Sequence, residues 1–92
     1  MPAYWSIEET ETFKRAVQQI TAAGHDISES LQAGFWYLQR SPLNVGRKSQ
    51  DHEVRILTMD ATQGRPGINL FYTVEPFRVS LLSVRLAEPA QL

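Results

Sequence analysis

Apolar residues recur at helical spacing in the first third of the chain. Phe13, Val17 and Ile20 follow one another at intervals of four and three residues, which places them on one face of a helix. The preceding Ser-Ile-Glu-Glu at residues 6–9 has the form of a capping box, whose serine and second glutamate each satisfy a free backbone N–H. Glycine tolerates the positive φ of a helix end, so Gly24 is expected to end this helix.

A second helix is predicted directly after the first. Asp-Ile-Ser-Glu at residues 26–29 forms another capping box, and Pro42 closes the segment because the residue before a proline is pushed out of the helical region. The apolar positions of its inner face are Ile27, Leu31, Phe35 and Leu38. The short link between the two helices predicts an αα-hairpin.

The remainder of the chain has the pattern of strands. Residues 43–52 are polar and predict a loop, whereas residues 54–59 predict a strand without clean alternation, as in the middle of a sheet. Residues 68–74 and 78–86 flank a Glu-Pro-Phe break and predict an antiparallel hairpin. The opening residues 3–5 are expected to add a short edge strand. The predicted fold class is α+β, with an N-terminal αα-hairpin packed on a three- to four-stranded antiparallel β-sheet.

Length and composition limit the class of protein. The 92 residues, 42% of them hydrophobic, suffice for one core, so we expect a single domain over residues 1–92. The chain has no cysteine, and its two histidines, His25 and His52, lack metal-ligand spacing, so we expect no metal and no cofactor. There is no apolar run of roughly 20 residues and no signal-like start, so we expect no membrane association and a cytoplasmic location.

Positive charge is concentrated in the second part of the chain. The net charge is −1, but residues 40–92 hold seven basic residues against five acidic ones, and six of the seven are arginine. Arginine suits bidentate contacts with phosphate or carboxylate. We expect one positive surface, on which Arg55 and Arg85 share a sheet face if their registers match; its predicted members are Arg47, Lys48, Arg55, Arg65 and Arg85. The alternative is that these arginines solubilise the sheet and pair with nearby acids.

His52 and the pair of Trp36 and Tyr37 each allow a functional and a purely structural interpretation. His52 lies between two carboxylates and is a weak candidate for a general base, although a lone histidine in a polar loop is more often only solvated. Trp36 and Tyr37 form either a stacking platform for bases or part of the packing between helix and sheet, and packing is the simpler explanation.

The order of elements resembles the RelE/ParE-like toxin superfamily of bacterial toxin–antitoxin systems. The resemblance is carried by Ser-Pro-Leu at residues 41–43 with Gly46, by the strands at residues 54–57, 70–74 and 79–84, and by Arg85 and Glu88 after them. It implies a toxin that binds a macromolecular target, either the ribosome with its mRNA or DNA gyrase. It also implies an antitoxin partner that neutralises the toxin, and it leaves a homodimer open.

The site residues that the resemblance implies are only partly present. RelE-type members that cut mRNA carry basic residues on the first strand of the meander, where Arg55 is similar in position. They carry an arginine at the start of the next strand, where this chain has Asn69, and another after the last strand, where Arg85 is near but out of register. A tyrosine often lies in the C-terminal tail, and here the sequence stops at Leu92.

Endoribonuclease activity therefore stays open. Cleaving RNA needs a base, a cationic clamp and an acid. The weak catalytic candidates are Arg55, Arg85 and His52. The alternative function is a non-enzymatic interaction module or complex subunit that retains the fold without a catalytic site.

Overall fold

The computed structural model describes residues 4–50, 53–62 and 65–87. The elements in chain order are β1 (Ser6–Glu9), α1 (Glu11–Ala22), α2 (Ser28–Arg40), α3 (Pro42–Val45), β2 (Arg47–Lys48), β3 (Arg55–Met59), β4 (Ile68–Glu75) and β5 (Arg78–Leu86). The strands form one sheet in the order β1-β5-β4-β3-β2, in which β1 runs parallel to β5 and every other pair is antiparallel. The predicted α+β class is confirmed, but the sheet has five strands and is mixed.

The first helix begins later than its capping box predicts. Residues 6–9 form β1, and Thr10 caps α1 instead, because its Oγ1 accepts a hydrogen bond from the Phe13 backbone N–H at 3.2 Å. The same hydroxyl donates to the Leu81 carbonyl at 2.7 Å, which ties the helix start to β5. The helix cap predicted at Ser6 is wrong, since pairing with the edge of β5 satisfies more backbone groups than one extra helical turn.

The N-terminal edge strand also lies elsewhere than predicted. Of the predicted residues 3–5, the structure describes Tyr4 and Trp5, and neither is in a strand. The Trp5 backbone N–H donates to the Gln39 carbonyl of α2 at 2.9 Å, so this segment attaches to the helix layer. The edge of the sheet is β1, four residues long.

The C-terminal ends of both helices follow the local sequence signals, but the capping box predicted at Asp26 is wrong, because the N-cap of α2 is Ile27 and no side chain caps this helix. Gly24 has a φ of 97° and ends the first helix as predicted. Asp26 accepts hydrogen bonds from the Ser28 hydroxyl at 2.7 Å and the Ser28 N–H at 3.0 Å, and these bonds hold the pKa of Asp26 below its usual value. The second helix ends at Arg40, ahead of Pro42, as the proline predicts.

The segment predicted as a loop over residues 43–52 contains regular structure. Its first part continues α3, which has Pro42 in its first turn, and Arg47 and Lys48 form β2 against Ile56 and Arg55. The C-terminal hairpin is confirmed, with Phe77 at a φ of 62° in the turn after Pro76.

A single core lies between the helices and one face of the sheet. Its buried apolar residues are Phe13, Ile27, Leu38, Leu57, Ile68, Leu70, Tyr72, Val79, Leu81 and Val84. The other predicted helix positions, Val17, Ile20, Leu31 and Phe35, are partly buried against this core, so the predicted inner faces are confirmed. Within the described residues, no helix is long and apolar enough to cross a bilayer.

Candidate functional site

Side chains along β4 alternate between two environments. Ile68, Leu70 and Tyr72 are fully buried beneath the helices, whereas Asn69 and Phe71 lie on the other side of the sheet. Residues directly opposite each other on paired strands share a face, so the register extends this assignment across the sheet. We call the side away from the helices the open face; its central residues are Arg47, Ile56, Thr58, Asn69, Phe71, Thr73, Ser83 and Arg85.

A β-bulge places Arg85 on the open face. The register between β4 and β5 shifts at Phe71 and Tyr72, so that Tyr72 pairs with Leu81 whereas Phe71 pairs with Ser83. Leu82 is the extra residue of the bulge, and it reverses the alternation of β5 beyond that point. As a result Arg85 pairs directly with Asn69 on the open face, where an unshifted register would have pointed it into the core.

Arg85 and Asn69 make the polar contacts of one end of the open face. The Arg85 guanidinium carbon lies 5.4 Å from the centroid of the Phe71 ring, a cation–π distance. The Thr58 hydroxyl donates to Asn69 Oδ1 at 2.7 Å. The arginine that the resemblance implies at position 69 is absent, but the guanidinium of the cross-strand neighbour lies beside that position.

The acidic residues Glu8 and Glu75 of the open face lie around Arg78. Arg78 pairs with Glu75 and, at 3.5 Å, with Glu8, and the hydrogen bond to Glu75 raises the pKa of Arg78. In the part of the chain that the structure describes, Arg47 and Arg85 are both exposed and take part in no ion pair. The central open face therefore carries positive charge around an aromatic ring.

Arg55 lies on the opposite side of the sheet. It pairs with Tyr72 and with Lys48, both on the helix side, and its Nη1 donates to the carbonyls of Leu43 at 3.3 Å and Gly46 at 3.5 Å. The expectation that Arg55 and Arg85 share a sheet face is wrong, because the register pairs Arg55 with a core residue.

The predicted cations therefore do not form one surface. Lys48 and Arg55 line a cleft of about 520 Å³ together with Glu53 and Glu75 at the edge of the sheet. Arg65 lies in the connection before β4, where its Nε donates to Thr62 Oγ1 at 2.8 Å. Only Arg47 and Arg85 of the predicted binding residues lie on the open face.

The open face provides binding groups and little acid–base chemistry. The described residues around Phe71, which are Ile56, Thr58, Asn69, Ser83 and Arg85, include no histidine, carboxylate, lysine or tyrosine. Glu8 and Glu75 lie on the same face but are paired with Arg78. A general base is required for RNA cleavage. His52, the predicted base, lies outside the described residues. Nor do the described residues contain a group of three carboxylates or histidines that could hold a metal ion.

Sequence reasoning missed Phe71 and the pairing of Asn69 with Arg85. A signal for Phe71 was present, because Ile68, Leu70 and Tyr72 alternate with polar or aromatic neighbours over this strand. The pairing had a fainter signal. The buried apolar residues of β5 change from odd numbers, Val79 and Leu81, to the even number of Val84, which is typical of a bulge.

Comparison with solved structures places the fold. A chain of the toxin–antitoxin complex RelBE2 from Mycobacterium tuberculosis superposes with a TM-score of 0.68 at 17% identity, covering 95% of each chain. A conserved hypothetical protein from Helicobacter pylori, solved in solution, has a TM-score of 0.58 at 15% identity, covering 89% of this chain and 93% of its own. No family model and no curated protein sequence matches the chain. The protein thus has the fold of the RelE/ParE-like toxins.

Proposed function

We propose that this protein is the toxin of a toxin–antitoxin pair and that its open face binds single-stranded RNA. The observation that carries the proposal is the position of Phe71 on a sheet face that no described element covers. It lies between Arg47 and Arg85, which form no ion pair within the described residues. The fold, which is that of a chain from a toxin–antitoxin complex, supports the same class of function.

The spacing of these groups suits a nucleic-acid strand. Arg47 is on β2 and Arg85 on β5, three strand spacings apart, which corresponds to about 14 Å across the sheet. Arginine neutralises phosphate, and an aromatic ring on a sheet stacks against an unpaired base. Thr58, Asn69 and Ser83 add hydroxyl and amide groups to the same face that can hydrogen-bond to base edges or to sugar hydroxyls.

A protein partner would regulate this surface. The RelBE2 chain was solved in a complex of toxin and antitoxin, and an antitoxin that covered Arg85 and Phe71 would exclude RNA from the open face. An acidic segment is the natural competitor, because it would replace the phosphates on both arginines.

A second candidate is a non-enzymatic interaction module with the same fold. The absence of an acid–base pair from the described centre of the open face favours this candidate over an mRNA endoribonuclease. Incubation of RNA with the purified protein distinguishes these two candidates, because an endoribonuclease shortens the RNA whereas an interaction module leaves its length unchanged.

Expression and RNA binding test the proposal together. Expression of the chain in bacteria should arrest growth. Purified protein should raise the fluorescence anisotropy of a short labelled single-stranded RNA, and Arg85→Gln should lower the log–log salt slope by about 0.7, the value for one phosphate contact on a single strand. Arg15→Gln, which removes the same charge from the exposed surface of α1, is the matched control and should leave the slope unchanged.

Two results would contradict the proposal. Normal growth at verified expression, with no RNA binding at low salt, would remove the toxin assignment. Binding that Arg85→Gln and Arg15→Gln weaken equally would mean that only net charge attracts the RNA and that the open face is no defined site.

A further inference from the structure

An aromatic cluster lies on the outer surface of α2, in the helix layer of the molecule. Tyr4 is 58% exposed, Trp36 52% and Tyr37 43%, and the rings of Trp36 and Tyr37 meet edge to face at 5.2 Å between centroids. The interpretation of Trp36 as helix-to-sheet packing is therefore wrong, whereas Tyr37, although exposed, borders a depression together with Leu57 and Met59 of β3. The buried residues of this helix are Ser30, Gly34 and Leu38, and Leu31 and Phe35 pack against the core beside them.

Arg40 is held between two rings of this cluster. Its guanidinium carbon lies 4.0 Å from the centroid of Trp36 and 4.7 Å from that of Tyr4, and Nη1 donates to the Trp36 carbonyl at 2.9 Å. The contacts with the two rings and with the Trp36 carbonyl restrict the guanidinium, and a guanidinium has further N–H groups that can donate to a ligand. Within the described residues, none of the ion pairs involves Arg40.

The cluster has the composition of an interaction surface. Tryptophan, tyrosine and arginine supply most of the binding energy in protein interfaces, and here all three are exposed and contact one another. Ala33, Trp36 and Tyr37 border a shallow depression of about 270 Å³, and Trp36 also contacts the Arg40 guanidinium. That space accommodates an aliphatic side chain next to the place where an anion would bind Arg40.

We propose that this α2 surface, formed by Tyr4, Ala33, Trp36, Tyr37 and Arg40, binds a protein segment that carries a carboxylate beside aliphatic side chains. The carboxylate accepts hydrogen bonds from the edge of the Arg40 guanidinium, and an aliphatic side chain fills the depression. Charge decides between a protein and a nucleic acid here. Among the described residues of this surface Arg40 is the single cation, which is too few for a run of phosphates but sufficient for one carboxylate.

The inference goes beyond the proposed function and does not depend on it. The residues of the α2 surface belong to the helix layer and its flanking segment, whereas RNA binding is assigned to strands on the other side of the sheet. One surface can therefore be altered without the other, and the two proposals fail separately.

A peptide titration observed by NMR tests the inference. The probe is the blocked peptide Ala-Leu-Glu-Leu-Ala, added to isotope-labelled protein. The Trp36 indole N–H and the Arg40 Nε–H should shift and saturate, and the corresponding peptide with glutamine in place of glutamate should bind about fivefold more weakly, because a charge-assisted hydrogen bond becomes a neutral one. Arg40→Gln should weaken binding of the glutamate peptide by a similar factor, whereas Arg40→Lys, which keeps the charge but loses the planar fork, should fall in between.

Control variants and control peptides distinguish a specific site from nonspecific binding. Arg15→Gln should bind the peptide like the parent protein, and the spectrum of each variant away from the α2 surface reports whether its fold is intact. Equal affinity for the glutamate and glutamine peptides would overturn the proposal, as would the absence of any saturable shift at Trp36. Tighter binding of a short single-stranded oligonucleotide at the same signals would overturn it in favour of a nucleic-acid site.

Discussion

Arg55 and Arg85 lie on opposite faces of the sheet. Arg55 pairs with Tyr72, whose side chain is fully buried beneath the helices, whereas Arg85 pairs with Asn69 on the open face. The two arginines therefore have different roles. Arg55 bonds the backbone carbonyls of Leu43 and Gly46 at the edge of the core, and Arg85 presents its charge to a ligand.

Replacing each of these arginines by glutamine should separate stability from binding. Arg55→Gln loses hydrogen bonds to two carbonyls and should lower the free energy of unfolding by about 1 kcal/mol. Arg85→Gln should change it by less than about 0.5 kcal/mol, since it removes an exposed charge, and should weaken RNA binding. Urea denaturation and RNA anisotropy measure the two effects. The separation is refuted if Arg55→Gln is as stable as the parent protein.

Gly46→Ala should be strongly destabilising. A Cβ at this position would overlap the hydroxyl of buried Tyr72 and lie 2.8 Å from its Cζ, and the ring cannot retreat because it is enclosed by the core. We expect a loss of about 1–3 kcal/mol, the usual cost of overpacking. Thermal denaturation, monitored by circular dichroism, measures this loss of stability.

Gly24→Ala provides the control for this steric prediction. A Cβ on Gly24 would meet no atom within 4 Å, but the φ of 97° strains any other residue. Its cost should be about 1 kcal/mol from the backbone alone. A cost at Gly46 no larger than that at Gly24 would show that Tyr72 can move aside.

The free energy of unfolding should fall in alkaline solution because Tyr72 ionises. Burial raises the pKa of the Tyr72 phenol above its usual value of 10.0, against a smaller lowering by nearby Arg55, and its hydroxyl donates to the Pro42 carbonyl at 2.7 Å. A raised folded-state pKa means that the unfolded chain loses the proton first. The stabilisation is complete below pH 10 and is lost as the pH rises from there through the folded-state pKa.

Denaturation midpoints measured at neutral pH and in steps above pH 10 test this assignment. Tyr72→Phe should be less stable at neutral pH, because the Pro42 carbonyl loses its donor, but its stability should decline less steeply in alkali. A decline of equal steepness in both proteins would assign the effect to other groups.

The start of α1 can be tested by removing one hydroxyl at a time. Thr10→Ala removes the cap of Phe13 N–H and the bond to the Leu81 carbonyl, and should cost about 1 kcal/mol. Ser6→Ala removes only an exposed bond to the Phe77 carbonyl and should cost less. Urea denaturation of the two variants gives their free energies of unfolding. A larger loss of stability in Ser6→Ala than in Thr10→Ala would favour a helix that starts at the predicted capping box.

The sequence by itself determined the elements whose signals are local. The inner faces of both helices follow from apolar residues at helical spacing, and the helix ends at Gly24 and before Pro42 follow from the backbone preferences of those residues. The C-terminal hairpin follows in the same way from two β-rich runs around Pro76. Each of these signals lies within a few residues of the structure that it predicts.

Tertiary structure decided what depends on distant partners. Residues 6–9 have the local sequence of a helix start, yet they form a strand because the edge of β5, about seventy residues along the chain, offers them backbone partners. The bulge at Leu82 likewise depends on which residues of β4 and β5 must enter the core. That choice turns Arg85 outward beside Asn69 and Phe71, and it leaves Arg55 on the helix side. The face on which a strand residue lies is set by pairing across the sheet, which the sequence of one strand does not contain.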